Sequence, residues 1–248
     1  MQEVLKRSSM VPVAALVLGC GGSGSSKSAP PARAAGADSA SSGAVAATAS
    51  APASAEPTVL FVGTSLTAGY GLDDPASDAY PAQVAALAER AGKPIHIVNA
   101  GLSGETSAGA LRRVDWLVRA PADVIVLETG ANDGLRGIDV DSTRANLAAI
   151  LGKLHSAQPT ARLMLVQMEA PPNLGPRYTT GFHAMFPAVA QAQGATLVPF
   201  LLEDVAGHAD LNQADGIHPT PAGARIAART VWKALEPVVD SVRLAAGR

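Results

Sequence analysis

The chain has 248 residues, 48% of them hydrophobic, and a formal net charge of −2. That is enough apolar material for one domain of ordinary size with a sizeable core. The near-neutral balance, with no basic block or stripe, argues against nucleic acid as a partner.

The first twenty residues read as an export signal. Lys6 and Arg7 make a short basic region, and Met10 to Leu18 is an apolar run of nine residues, too short to span a bilayer. Val17-Leu18-Gly19-Cys20 follows and resembles the lipobox of bacterial lipoproteins, whose cysteine becomes the lipidated first residue of the mature chain. The expectation is a lipoprotein-type signal over 1–19 and a lipidated Cys20, placing the protein at the membrane of a bacterial cell envelope. An ordinary cleaved secretory signal, giving a periplasmic or secreted protein, is the alternative. Cys20 is the single cysteine, so no intrachain disulfide forms. Residues 20–57 are mostly Gly, Ser, Ala and Pro and read as a flexible tether. Gly19-Cys20-Gly21-Gly22-Ser23-Gly24 has the spacing of a dinucleotide loop, but it leads into that tether and not from a strand into a helix.

From Thr58 onward short apolar runs alternate with helical periodicity. The runs predict strands at Val59–Val62, Ile95–Val98, Val124–Leu127, Leu163–Gln167 and Thr196–Val198. Between them Val84, Leu87, Ala88 and Ala91 share one helical face, as do Leu111, Val114 and Val118, and then Leu147, Ile150, Leu151 and Leu154. A fourth helix is predicted from about Tyr178 to Gln193. The last starts with Thr220 as N-cap and Pro221 at the first position and runs to about Val239. The alternation implies a parallel α/β sheet covered by helices on both faces, within a domain spanning 58–240 and followed by a tail over 241–248.

Ligands of such sheets bind at the carboxyl ends of the strands. Ser65 lies just past the first strand, Gly104 past the second and Asn132 past the third, while Asp215 and His218 precede the last helix. A serine hydroxyl needs a base, and histidine titrates near neutral pH unmodified. A carboxylate three residues before it, across Gly216, can turn back to orient the imidazole. Asn132 could be a turn former or an oxyanion donor, and Gly104 a flexible turn or a backbone donor without a Cβ in the way. Asp-Gly-Ile-His-Pro could also be a plain surface turn or contribute metal ligands, but no second ligand cluster supports a metal. His96, His155, His183 and His208 have no such partner spacing and read as surface or packing residues. The Gly-x-Ser-x-Gly elbow of α/β-hydrolases is absent.

Gly63-Thr64-Ser65-Leu66, Gly104, Gly130-Ala131-Asn132-Asp133 and Asp215-Gly216-Ile217-His218-Pro219 together resemble the four blocks of the SGNH (GDSL) hydrolases. The runs Ser65–Gly71 and Asn132–Gly137 are similar to the bacterial thioesterase, lysophospholipase and arylesterase branch. The resemblance covers about Thr58 to Val239. It implies a three-layer, flavodoxin-like α/β/α sandwich on a five-stranded parallel sheet. It implies Ser65 as nucleophile, His218 as general base and acid, and Asp215 as the orienting carboxylate. The Ser65 and Gly104 N–H groups and the Asn132 amide would form the oxyanion hole, and Glu169–Arg177 would be a mobile substrate loop. Thr64 departs from the pattern, standing where the family carries an aspartate, so Thr64→Asp is expected to be tolerated or mildly beneficial.

The function expected is hydrolysis of carboxylic esters or thioesters through an acyl-enzyme, without metal or cofactor, by a monomer. A carbohydrate O-deacetylase of the same fold and a non-catalytic binding lipoprotein are the alternatives. The 4% aromatic content leaves few stacking platforms for sugars.

Overall fold

A computed structural model of the protein describes residues 56–247. The expected signal peptide, Cys20 and nearly all of the tether lie outside the described residues. Five strands, β1 (Thr58–Gly63), β2 (His96–Gly101), β3 (Val124–Leu127), β4 (Arg162–Val166) and β5 (Thr196–Val198), form one sheet in the order β2-β1-β3-β4-β5. Every pairing is parallel. The principal helices are α3 (Tyr80–Arg90), α4 (Ser107–Leu117), α6 (Val140–Ala157), α7 (Pro176–Ala192) and α8 (Pro221–Ala245). Short helices α1 (Ser65–Ala68), α2 (Pro75–Asp78) and α5 (Ala131–Leu135) stand at turns.

The layering follows from the handedness of the crossovers. The chain steps from β1 to β2 in one direction and from β2 through β3 and β4 to β5 in the other. Right-handed connections therefore put α3 on one face and α4, α6 and α7 on the opposite one. Helix α8 returns from β5 to pack against α3, and α4 packs on α6, which packs on α7. Residues 124–127 of β3 are completely buried, as a central strand covered on both faces must be.

Strands β3 and β5 match their predicted bounds. Strand β2 starts one residue later than expected and runs on to Gly101, because that glycine continues the ladder opposite Gly63. The last helix extends well past Val239, to Ala245. Val242 is buried and Arg243 donates to the Pro94 carbonyl at 2.6 Å, so the expected tail is mostly a docked helical end. The Thr220 cap and Pro221 start stand as predicted. Among the described residues no helix is long and apolar enough to cross a membrane.

Candidate active site

The chain reverses direction at β1, so the crevice at the carboxyl ends of β1 and β3 is the topological switch point. Ser65 opens α1 directly after β1, and Asn132 lies in α5 directly after β3. The loop before α8 is brought to the same edge. Its base is closed by Thr220 N donating to Leu211 O and Gln213 N donating to His218 O, at 2.9 and 2.7 Å. The Gln213 amide reaches across to the Tyr70 carbonyl, tying this loop to the end of α1.

Within that frame three side chains form a continuous chain. Ser65 Oγ lies 2.8 Å from His218 Nε2, and His218 Nδ1 lies 2.7 Å from Asp215 Oδ2. The second oxygen, Asp215 Oδ1, accepts the N–H groups of Ile217 and His218 at 2.9 and 3.0 Å. Gly216 permits this tight turn, with φ at +71°. The bond to His218 Nδ1 and these two backbone bonds, in that order, hold the Asp215 carboxyl down at about 2. An ionised Asp215 selects the imidazole tautomer with Nδ1–H, which leaves Nε2 to accept from the Ser65 hydroxyl. The ring of Tyr70 covers the imidazole, centroid to centroid 4.8 Å.

The donor side is assembled from three loops. Ser65 N–H belongs to the first turn of α1 and has no intrahelical acceptor. Gly104 has φ +77°, a conformation that a glycine adopts without strain. One N–H of the Asn132 amide donates to Glu105 O at 3.0 Å, leaving the other available. Helix α5 grips the Gly104 loop at two more points. Arg136 donates to Gly104 O at 3.0 Å, and Asp133 accepts from Ser107 N and Ser107 Oγ at 2.8 and 2.5 Å. Arg113 completes the brace by pairing with Glu105 and donating to the Gly63 and Ala100 carbonyls.

Ser65 and His218 open onto a groove of about 280 Å³. Leu66, Leu135, Met168, Phe200, Leu202 and Ile217 supply its apolar lining, and Glu169 stands on its wall. Glu169 Oε1 is 2.6 Å from Nδ1 of His183, which is an exposed surface residue.

The structure thus brings Ser65, Gly104, Asn132, Asp215 and His218 to one edge. Sequence reasoning did not single out Glu105, Arg113, Asp133 or Glu128. For Glu128 a signal existed: it is a carboxylate ending an otherwise apolar run just before the Gly130 block. It is completely buried and accepts from Thr64 N at 2.8 Å and from the hydroxyls of Thr64 and Thr67 at 2.9 Å each.

That contact alters the expectation for Thr64. Thr64→Asp would press a second carboxylate against Glu128 in a buried site, where both cannot ionise. The pair would retain a proton in the folded state above the pH at which the unfolded chain releases it. Native proton affinity raised in this way stabilises at low pH and is lost as pH rises through the folded value. The variant is expected to match wild type near pH 6 and to show a lower urea midpoint at pH 8.5. Equal midpoints at both values would show that the pocket solvates the second charge.

The geometry agrees with what the chain is similar to. Residues 61–226 match the model of the GDSL-like lipase/acylhydrolase family. Esterase TesA of Pseudomonas aeruginosa is 39% identical over 188 residues, 75% of this chain and 91% of that protein. The thioesterase 1/protease 1/lysophospholipase L1 of Escherichia coli K12 is 37% identical over 190 residues, 76% of this chain and 88% of the relative. Among solved structures, a psychrotrophic esterase EstA from Pseudoalteromonas sp., inhibited by monoethylphosphonate, superposes with a TM-score of 0.69 at 33% identity. It covers 75% of this chain and 100% of that one. With the family model spanning most of the folded domain and esterases aligned along it, the chain belongs to the GDSL-like lipase/acylhydrolase (SGNH) family and is a serine-type carboxylic-ester hydrolase.

Proposed function

We propose that Ser65 is the nucleophile, His218 the general base and acid, and Asp215 its orienting carboxylate, in hydrolysis through an acyl-enzyme. The observation that carries this is the unbroken Asp215–His218–Ser65 hydrogen-bond chain at the switch point. His218 Nε2 takes the hydroxyl proton as Ser65 Oγ attacks the ester carbonyl. The Ser65 and Gly104 N–H groups and the free N–H of Asn132 receive the developing oxyanion. His218 then protonates the leaving alcohol or thiol, and water repeats the sequence to release the acid. The apolar groove takes the acyl chain, which favours fatty acyl esters and thioesters over acetylated glycans. The esterase, arylesterase and thioesterase/lysophospholipase names of the relatives support the same substrate class. A related esterase inhibited by a phosphonate supports a serine attack, since phosphonates mimic its tetrahedral intermediate. We further propose Glu169–Arg177 as a loop that adjusts to substrate, and a monomer as the working unit.

The test is labelling of the wild-type protein by a fluorophosphonate, alongside turnover of p-nitrophenyl and CoA esters of graded chain length. Labelling at Ser65 with turnover unaffected by chelators is expected. Strict dependence on added metal would replace the serine by a metal-bound water.

We also propose that Cys20 is lipidated and anchors the enzyme in a bacterial cell envelope. The 37 residues from Gly21 to Pro57 would give a coil a root-mean-square reach of roughly 30–35 Å, so the catalytic edge could meet lipid-like esters at the bilayer. Cys20→Ser is expected to abolish fatty-acid labelling in a bacterial host and shift the protein to the soluble fraction, with kcat unchanged. Wild-type protein that is soluble and unlabelled would mark the leader as an ordinary secretion signal.

A further inference from the structure

Glu128 is an expensive residue to keep. It follows the fully buried 124–127 run and is itself completely buried. A buried carboxylate without a cation beside it costs several kcal/mol, and among the described residues the groups bonded to Glu128 supply no such cation. From α1 it meets Thr64 and Thr67, neither of them titratable. From α3 it faces Tyr80, whose hydroxyl lies 2.8 Å from Thr67 Oγ1. Since Thr67 uses its proton on Glu128, the Tyr80 hydroxyl donates to Thr67. Tyr80 is itself pushed well above its ordinary value by burial and by the Glu128 charge. From α4, Arg113 reaches the neighbouring Gly63 carbonyl but pairs with Glu105. Stability alone would favour a neutral residue at 128.

What Glu128 holds is the turn that carries Ser65. Thr64 and Thr67 bracket the serine, and both are buried. Thr64 is the N-cap of α1, yet its hydroxyl caps no helical N–H and turns to Glu128. The carboxylate accepts the Thr64 and Thr67 hydroxyls and the Thr64 N–H. Three donors on either side of the serine, converging on one acceptor group, fix where Ser65 Oγ and Ser65 N–H point. We propose that Glu128 is a positioning residue, acting through Thr64 and Thr67 to aim the Ser65 hydroxyl at His218 and the Ser65 N–H at the oxyanion. This rests on the serine-esterase reading above.

The arrangement makes positioning depend on charge. A protonated Glu128 must donate one O–H, so at least one of the hydroxyls of Thr64 and Thr67 has to stop donating to it and either accept or turn away. Burial, opposed by the hydrogen bonds from Thr64 and Thr67, raises the Glu128 carboxyl to about 7. Its charge therefore changes near neutral pH. In stability terms the raised value works against the ionised form: the contribution is full below the ordinary glutamate range and is lost as pH rises through about 7.

The test compares wild type, Glu128→Gln and Glu128→Ala on a p-nitrophenyl ester between pH 5.5 and 8.5. At pH 8.5, kcat is expected to fall about tenfold in E128Q and about 100-fold in E128A, with KM within about twofold. The ratio of wild-type to E128Q kcat is expected to shrink towards one at pH 5.5, where both side chains are neutral. The melting temperature of E128Q at pH 8.5 is expected to equal or exceed that of wild type. A purely structural role predicts a ratio that stays at one across the range, and that result would overturn the proposal. If E128A does not fold, the E128Q ratio alone decides. Fluorophosphonate labelling of wild type separates the two claims. An unlabelled wild type sinks the serine mechanism, whereas a labelled wild type with an unaltered E128Q sinks only the role of Glu128.

Discussion

Ser65→Ala is expected to lower kcat by about 10⁴- to 10⁶-fold and to abolish fluorophosphonate labelling, the loss typical of a removed triad nucleophile. The size follows from how little else in the groove can attack a carbonyl. Besides Ser65 and His218, the polar wall groups are Thr64, bonded to Glu128, Asn132, anchored on Glu105, and Glu169, paired with His183, and the rest are apolar. Fold should survive, because Ser65 Oγ has His218 as its bonding partner and contributes nothing to the core. Residual turnover is expected from the oxyanion donors, which remain in place. The check is kcat on a p-nitrophenyl ester with circular dichroism on the same sample. Turnover within tenfold of wild type in a folded variant would remove Ser65 from the chemistry.

Asp215→Asn is expected to cost about 10⁴-fold in kcat with little loss of stability. An asparagine can still accept the Ile217 and His218 N–H groups through its oxygen, so the turn closes as before. The atom facing His218 Nδ1 then becomes an NH₂ donor. The imidazole must answer with an unprotonated Nδ1, placing its proton on Nε2 against the Ser65 hydroxyl. The base is thereby lost while the shape is kept. In the native protein Asp215 is held at about 2, first by its bond to the His218 ring and then by the two backbone N–H groups. Its stabilising contribution is present above the ordinary carboxylate range and is lost only as pH falls towards that value. Asp215 therefore stays ionised wherever His218 can act as a base. Fluorophosphonate labelling of this variant should be slowed in proportion to kcat and not eliminated. Labelling at the wild-type rate would show that His218 works without its carboxylate.

Much of this protein was legible as local pattern. A run such as Val124–Leu127 buries on both faces wherever it lies, so its strand could be read without knowing its neighbours. Thr220-Pro221 carries its own helix start, because capping and a fixed φ are short-range effects. The edge that carries the candidate site was legible for the same reason. Parallel strands separated by helices all end on one side, so residues following successive strands share an edge, and Ser65, Gly104 and Asn132 needed only that rule. Asp215 and His218 were legible as a pair because three residues and a glycine suffice to fold one back on the other. What only the tertiary structure decided are the contacts that cross between elements. Glu128 reaches Thr64 from 64 positions away, through the pairing of β1 with β3. Arg113 joins the ends of β1 and β2 to Glu105. Neither pattern has a period or spacing along the chain, because sheet order and register set those distances. The end of α8 was misjudged for the same reason. Asp240 and Ser241 interrupt the apolar pattern after Val239, and it is the docking of Val242 and Arg243 against the rest of the domain that keeps the helix going to Ala245.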